Sequence, residues 1–430
     1  MFINNINKQR TFFTFIFITS CLILSSIFLH SCKKETNSGP PVITRVRVPD
    51  VSKADSSVLK ARPGTSIIIE GRNLANAKEV LFNGYSAFFN AAYNTNTHIW
   101  VDIPPTTPTP DRFPDVTNTI TVITANGQAT YDFPVEPPPP SIDSVINENP
   151  APGSTLIIKG RYFYSVKEVQ FPDASTSKDV TVNEMGTQLQ VKVPVGLNAD
   201  AGKVILLSAY GNDTTDVLIN KKDGIGIISN FDNTSYYSWG GTEVTDNATL
   251  FPENTGKYYR SSLLAIPSWD KQWWVAGRGA VFGTYNSTWL KVLDNSAIAA
   301  LDNTDTLKNF ALKFEINTKT VWDKNLFFRI SFNQKYGYAF QPWLYYISGV
   351  FNTENKWITF TIPLKDFKTV LKSNDHYPPD PKGIAVEKLS DLFNEKGEFT
   401  NMLFRTQTEA TATTAMQFAI DNIRIVRMKN

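Results

Sequence analysis

The sequence predicts an all-β protein of three sandwiches, two small ones in tandem followed by a larger one, and three observations lead to it. The stretch PGTSIIIEGRNLANAKEVLF (63–82) returns as PGSTLIIKGRYFYSVKEVQF (152–171). Short runs rich in β-branched and aromatic residues recur along the chain with partial period-two alternation, as strands with one inward face require. Composition then shifts, because eight of the nine tryptophans lie beyond residue 226.

The repeat justifies the two small sandwiches. At an offset of 89, Pro63, Gly64, Gly71, Arg72, Lys78, Glu79, Val80 and Phe82 each meet the same residue type. Each copy opens on a proline-glycine turn and continues through a β-branched run. A glycine comes next, read as a place where the chain turns, and then a second short strand. Further on, IWVDIP (99–104) answers LQVKVP (189–194), each an alternating strand closed by a proline that ends pairing. With their flanking PPVITRV and PPSIDSV, both copies resemble immunoglobulin-like IPT/TIG domains, at 40–137 and 138–222. Between them PVEPPPPS favours extended polyproline II geometry and a stiff joint. Both repeats read as a stalk. Trp100, Phe88, Phe89 and Tyr93 favour a rival reading in which the first repeat binds ligand itself.

The third domain, 223–430, is justified by FALKFEINT (310–318), LFFRISF (326–332), KWITFTIPL (356–364) and MQFAIDNIRIVR (416–427). These read as strands of one antiparallel, jelly-roll-like sandwich, and VEKLSDLFN (386–394) as one or two helical turns. No contiguous calcium-ligand string is present; no cofactor is expected, and a structural calcium inside the sandwich is left open.

Upstream, residues 1–31 place Lys8 and Arg10 before an uncharged apolar stretch, as a secretory signal does. The same length could span a bilayer as a retained helix. The ending Leu29-His30-Ser31-Cys32 resembles a bacterial lipobox, which implies lipidation of Cys32, with 32–39 as a polar tether. The other cysteine, Cys21, lies inside the leader, so disulfides, thiolate metal sites and cysteine nucleophiles are excluded from the mature chain. Beyond the leader only His98 and His376 remain, little material for a zinc site or a histidine triad. A net charge of +2 with no long basic block argues against nucleic acid as partner.

An indole face is apolar and slightly negative, and a pyranose face of axial C–H bonds is apolar and slightly positive, so the two stack. The string PSWDKQWWVAGRGAVF (267–282) suits such a surface. Strand alternation sends Trp273 and Trp274 to opposite faces, so one is a platform and the other core, with Trp274 favoured as the platform. Trp269 and Trp289 stand in polar contexts, and Trp322 lies in NTKTVWDKN between two strands, flanked by charge. Trp343 sits after a proline in AFQPWLYY, where Gln341 offers an amide to sugar hydroxyls. The expected carbohydrate-binding set is therefore Trp273, Trp274, Trp289, Trp322, Trp343 and Gln341. Trp357, which begins a regular strand, is expected in the core; Trp239 is left open.

ISNFDN, GKYYR (256–260), QPW (341–343), KWITFTIPLKDF (356–367) and the terminal IDNIRIV together resemble the surface glycan-binding protein B family of Bacteroidota. That resemblance implies a non-catalytic lipoprotein on the outer face of the outer membrane. It would capture xyloglucan or another β-glucan beside a TonB-dependent transporter and a starch-utilisation-type binding partner. Two other classes compete. An adhesin gripping a protein would need mixed Tyr, Arg and aliphatic anchors. A β-sandwich glycosidase needs a carboxylate pair, for which Asp232, Asp270, Asp323 and Asp421 are available but fall in no recognisable acid/base motif.

Overall fold

The computed structural model describes residues 39–198, 201–221, 224–233, 237–239, 242–263, 281–285, 301, 309–322, 326–371, 379–393, 395, 401–408 and 416–428. The signal segment, Cys32, Trp269, Trp273, Trp274 and Trp289 lie outside them. Every named strand pairing is antiparallel, and VEKLSDLFN supplies one 3-10 turn, Leu389–Leu392. The chain divides into two compact units between Pro138 and Pro139.

The first unit holds the first repeat. One sheet pairs Val42–Arg47, Ser66–Arg72 and His98–Asp102; the other pairs Tyr85–Ala87, Glu79–Phe82, Thr119–Thr124 and Gly127–Asp132, each in that order. Alternation puts Ile67, Ile69, Ile99 and Val101 inward against Val80, Phe82, Ile120 and Val122, all in one core cluster. Gly64 at the turn has φ +80°, a conformation that favours glycine. Gly71 corrects the sequence reading, because it does not turn the chain. A Cβ there would lie 1.9 Å from the Val42 carbonyl oxygen, where the register shifts between Ile43 and Arg45. Gly160 repeats this in the second copy, 2.0 Å from the Ser141 carbonyl oxygen.

The second unit joins the second repeat to the large sandwich. The repeat pairs Val180–Val182, Gln188–Lys192, Thr155–Arg161 and Ser141–Val145 in one sheet. Its second sheet contains Val166–Gln170 and Ile205–Ser208. In the large sandwich, one sheet runs Thr242–Thr245, Tyr258–Leu263, Met416–Arg427, Phe310–Thr318, Ile358–Pro363. The facing sheet runs Tyr237–Trp239, Val281–Tyr285, Asn401–Thr408, Leu326–Phe332, Tyr336–Phe340, Lys368–Thr369. Phe314, Ile316, Ile420 and Ile425 from the first sheet meet Phe328, Ile330 and Phe404 from the second in one core.

All nine residues of the Phe310–Thr318 strand are buried. Leu312, Phe314 and Ile316 face the core. The alternate face carries Lys313 and Glu315, and the second repeat covers it. Glu148 of that repeat pairs with Lys313, and its Oε2 lies 2.8 Å from Arg424 Nη2. Arg424 closes the group through Glu315, Nη1 to Oε2 at 2.9 Å. Two cations and two anions thus neutralise one another out of water, an arrangement tolerable only when every charge is paired. Burial alone would lower the Arg424 pKa, but Glu315 and Glu148 outweigh it and raise it. Backbone bonds complete the joint: the Thr359 amide donates to the Ile146 carbonyl at 2.8 Å, and the Glu148 amide to Thr359 Oγ1 at 2.7 Å. The second repeat is therefore not a bare spacer.

Candidate functional site

Register gathers several connections at one end of the large sandwich. Thr318 ends its strand opposite Phe418, and Ile358 starts beside Ile316. In the facing sheet Leu326 begins opposite Thr408, and Phe340 ends opposite Phe328. The strand ends Leu263 and Val281, which bound residues 264–280, pair with Met416 and Arg405 near the same end. Loops collected at one end of a rigid sandwich are where such folds carry function.

Among the described residues this end is built in two tiers. The lower tier is aromatic core. Trp322 stacks on Phe418 with centroids 5.5 Å apart and meets Phe328 edge-on at 5.0 Å. Its amide donates to the Phe351 carbonyl at 2.7 Å and its carbonyl accepts from the Phe351 amide at 2.9 Å, which clamps two loops together. The upper tier is the short 3-10 turn Pro342–Tyr345 with the residues that succeed it up to Val350. Pro342 starts the turn, where its missing N–H costs nothing, and Pro342 and Trp343 point down into the core. Leu344, Tyr345, Tyr346, Ile347 and Val350 are left exposed, with Val321 beside Trp322 also exposed.

Two sequence expectations are corrected here. Trp322 is 0% exposed and Trp343 4%, so neither is a stacking platform; both support the loop from beneath. The charged neighbours of Trp322 suggested solvent, but the two-way bridge to Phe351 draws the indole under the loop. Gln341 is partly exposed at the start of the same turn and stays beside the surface. Trp357 is core as expected, packed on Tyr258 at 5.5 Å, with Nε1 donating to the Pro252 carbonyl at 3.0 Å.

Sequence reasoning missed the tyrosines. The signal was present, since WLYYI is an apolar run with no alternation just after a proline, and such a run cannot bury every side chain. Tyr345 rests edge-on against Phe360 at 5.2 Å and Tyr346 on Phe351 at 5.6 Å, so each ring is braced by core yet open on another side. The Tyr345 and Tyr338 hydroxyls hydrogen-bond to each other. Burial, and then this bond, pushes the Tyr338 pKa up, and burial raises that of Tyr346. Both phenols are neutral hydrogen-bonding groups at physiological pH. The surface offers flat apolar rings with hydroxyls at their edges. Among the described residues no group of three or more His, Cys, Asp or Glu is placed to hold a metal.

Residues 221–427 match the model of the surface glycan-binding protein B xyloglucan binding domain. That region belongs to this family. The surface glycan-binding protein B domain thus comprises the whole large sandwich, including the exposed 344–347 turn. An IPT/TIG domain-containing protein of Bacteroides ovatus is 29% identical over 197 residues, a match spanning 43% of this chain and 40% of that relative. Solved structures share the fold. Surface glycan-binding protein PbSGBP-B from Prevotella bryantii has 21% identity and a TM-score of 0.59, covering 91% of this chain and 100% of its own. SGBP-B from a complex xyloglucan utilization locus in Bacteroides uniformis has 18% identity and a TM-score of 0.51, covering 90% and 99%.

Proposed function

We propose that this chain is a non-catalytic, cell-surface polysaccharide-binding protein that holds a β-glucan such as xyloglucan at the loop end of its large sandwich. The observation that carries the reading is the exposed Leu344–Ile347 surface with its braced tyrosines, on a domain that matches a xyloglucan-binding family. Sugar rings stack on Tyr345 and Tyr346, and the phenol hydroxyls and Gln341 pair with sugar hydroxyls. Trp289 and one of Trp273 and Trp274, which lie outside the described residues, are kept as further sugar contacts in this reading. Lipidation of Cys32 holds the protein at the outer membrane, beside a TonB-dependent transporter and a starch-utilisation-type partner that take the captured glycan. Many anchored copies on one polymer make weak single sites effective.

Affinity electrophoresis against xyloglucan, mixed-linkage glucan, laminarin, mannan and chitin tests this. We expect retardation by at least one β-glucan, weakened about 30- to 150-fold when Tyr345 and Tyr346 are both replaced by alanine, at about 1–1.5 kcal/mol per ring. Trp322→Ala, by contrast, should lower stability by about 3–5 kcal/mol, as large core truncations do. No retardation by any polysaccharide would sink the binding reading. Release of reducing ends that is lost on mutating a carboxylate would replace it with catalysis.

A further inference from the structure

We infer that the first repeat carries a second glycan-binding site of its own. A cleft of about 330 Å³ opens on its sheet, lined by Phe88, Tyr93, Trp100, Asn90, Asp102 and Ser66. Trp100 points out from the His98–Asp102 strand, 47% exposed, and Phe88 is 88% exposed. The Tyr93 and Trp100 rings stand 6.2 Å apart with their planes at 40°, forming an open V. Phe89, packed against the repeat's core, anchors the segment that presents Phe88 and Tyr93. The short 3-10 turn Ala91–Tyr93 is fixed by Asn90, whose Oδ1 accepts from the Ala92 amide at 2.9 Å.

The second repeat shows that these rings do not serve the fold. Its Gln188–Lys192 strand has the same burial pattern as His98–Asp102, yet Gln190 stands where the first repeat has Trp100 and Lys192 where it has Asp102. There the same face borders the large sandwich only at its edge, where Thr155, Ile157 and Gln190 line a pocket with Trp357 and Lys356, and Thr155, Gln190 and Lys192 stay exposed. The outward position of this strand is thus polar in the second copy and aromatic only in the first, where the fold does not require a ring.

The size and chemistry of the cleft select its occupant. A stable protein interface needs roughly 800 Å² per partner, far more than three rings supply, whereas the cleft is of small-molecule scale. Its apolar rings lie next to the Asp102 carboxylate, which accepts from the Ser66 hydroxyl, and to the amide of Asn90. An apolar wall edged by acceptors and donors fits a pyranose, with its apolar face and rim of hydroxyls. The inference rests on the proposed function only in taking the same polysaccharide class. Two sites on one chain raise the effective concentration of one polymer at both.

The full chain labelled with 5-fluorotryptophan gives the test, with the Trp100 resonance assigned through Trp100→Phe. Titration with xylogluco-oligosaccharide should shift the Trp100 resonance in a saturable way, and Tyr93→Ala should weaken that shift. Trp100→Ala should reduce affinity for long xyloglucan about tenfold, one stacked ring's worth, with an unchanged melting profile. If other tryptophan resonances move while that of Trp100 stays fixed, this site is overturned and the proposed function stands. If no resonance moves and no polysaccharide of the panel retards the full chain, both are overturned.

Discussion

The two repeats share a sequence motif, a bulge beside the same glycine and a core pattern, but they differ in what stands on and beside one sheet face. In the second repeat Ile146 and Glu148, at the edge of that face, are joined to the large sandwich through a buried four-charge group and backbone bonds. In the first repeat the face is open and aromatic. The lesson is that a repeated fold conserves the inward positions, which packing constrains. Outward positions are released to become either an interface or a binding surface.

The comparison breaks most severely at Glu148. Glu148→Ala leaves Lys313 and Arg424 buried with half their partners gone, and we expect a loss of about 3–5 kcal/mol in the second unit. Calorimetry should show its transition falling while that of the first unit stays in place. A smaller effect of opposite sign is expected at Asp421, buried beside Glu315 with its carboxyl pushed well up, by burial first and then by Glu315. A carboxyl raised in the folded state contributes stability below its unfolded pKa and loses it as pH rises through the folded value, so at neutral pH it is a liability. Asp421→Asn should raise the midpoint of the second unit by roughly 2–4 °C at pH 7, and the gain should shrink as pH falls toward 4. A gain that persists unchanged in acid would point to packing instead of charge. The smallest effect belongs to Trp100→Ala, expected within about 0.5 kcal/mol of wild type in urea denaturation. A larger loss would mean that the ring does hold the repeat together.

Much of the fold was legible because alternation is local. The strands around Ile67, Val101, Phe314 and Ile358 lie where their patterns put them, and Trp357 is core as its place at a strand start suggested. The candidate site was less legible. Polar or proline neighbours suggested exposure for Trp322 and Trp343, but a neighbour in sequence is not a neighbour in space. Trp322 is enclosed by Phe328 from the strand that follows it and by Phe340, Phe351 and Phe418 from three more distant segments. Tyr345 and Tyr346 were overlooked because a tyrosine run gives no sign of which rings a 3-10 turn will lift clear.

By itself the sequence determined the all-β class, the tandem repeat and the aromatic character of the last domain, since these depend on residue type and short-range period. Only the tertiary structure decided that Lys313 and Glu315 are buried, that Trp322 is core and that Trp100 is open. Exposure is a property of what packs opposite a side chain. For these residues that partner is another domain or a distant loop, which no local pattern encodes.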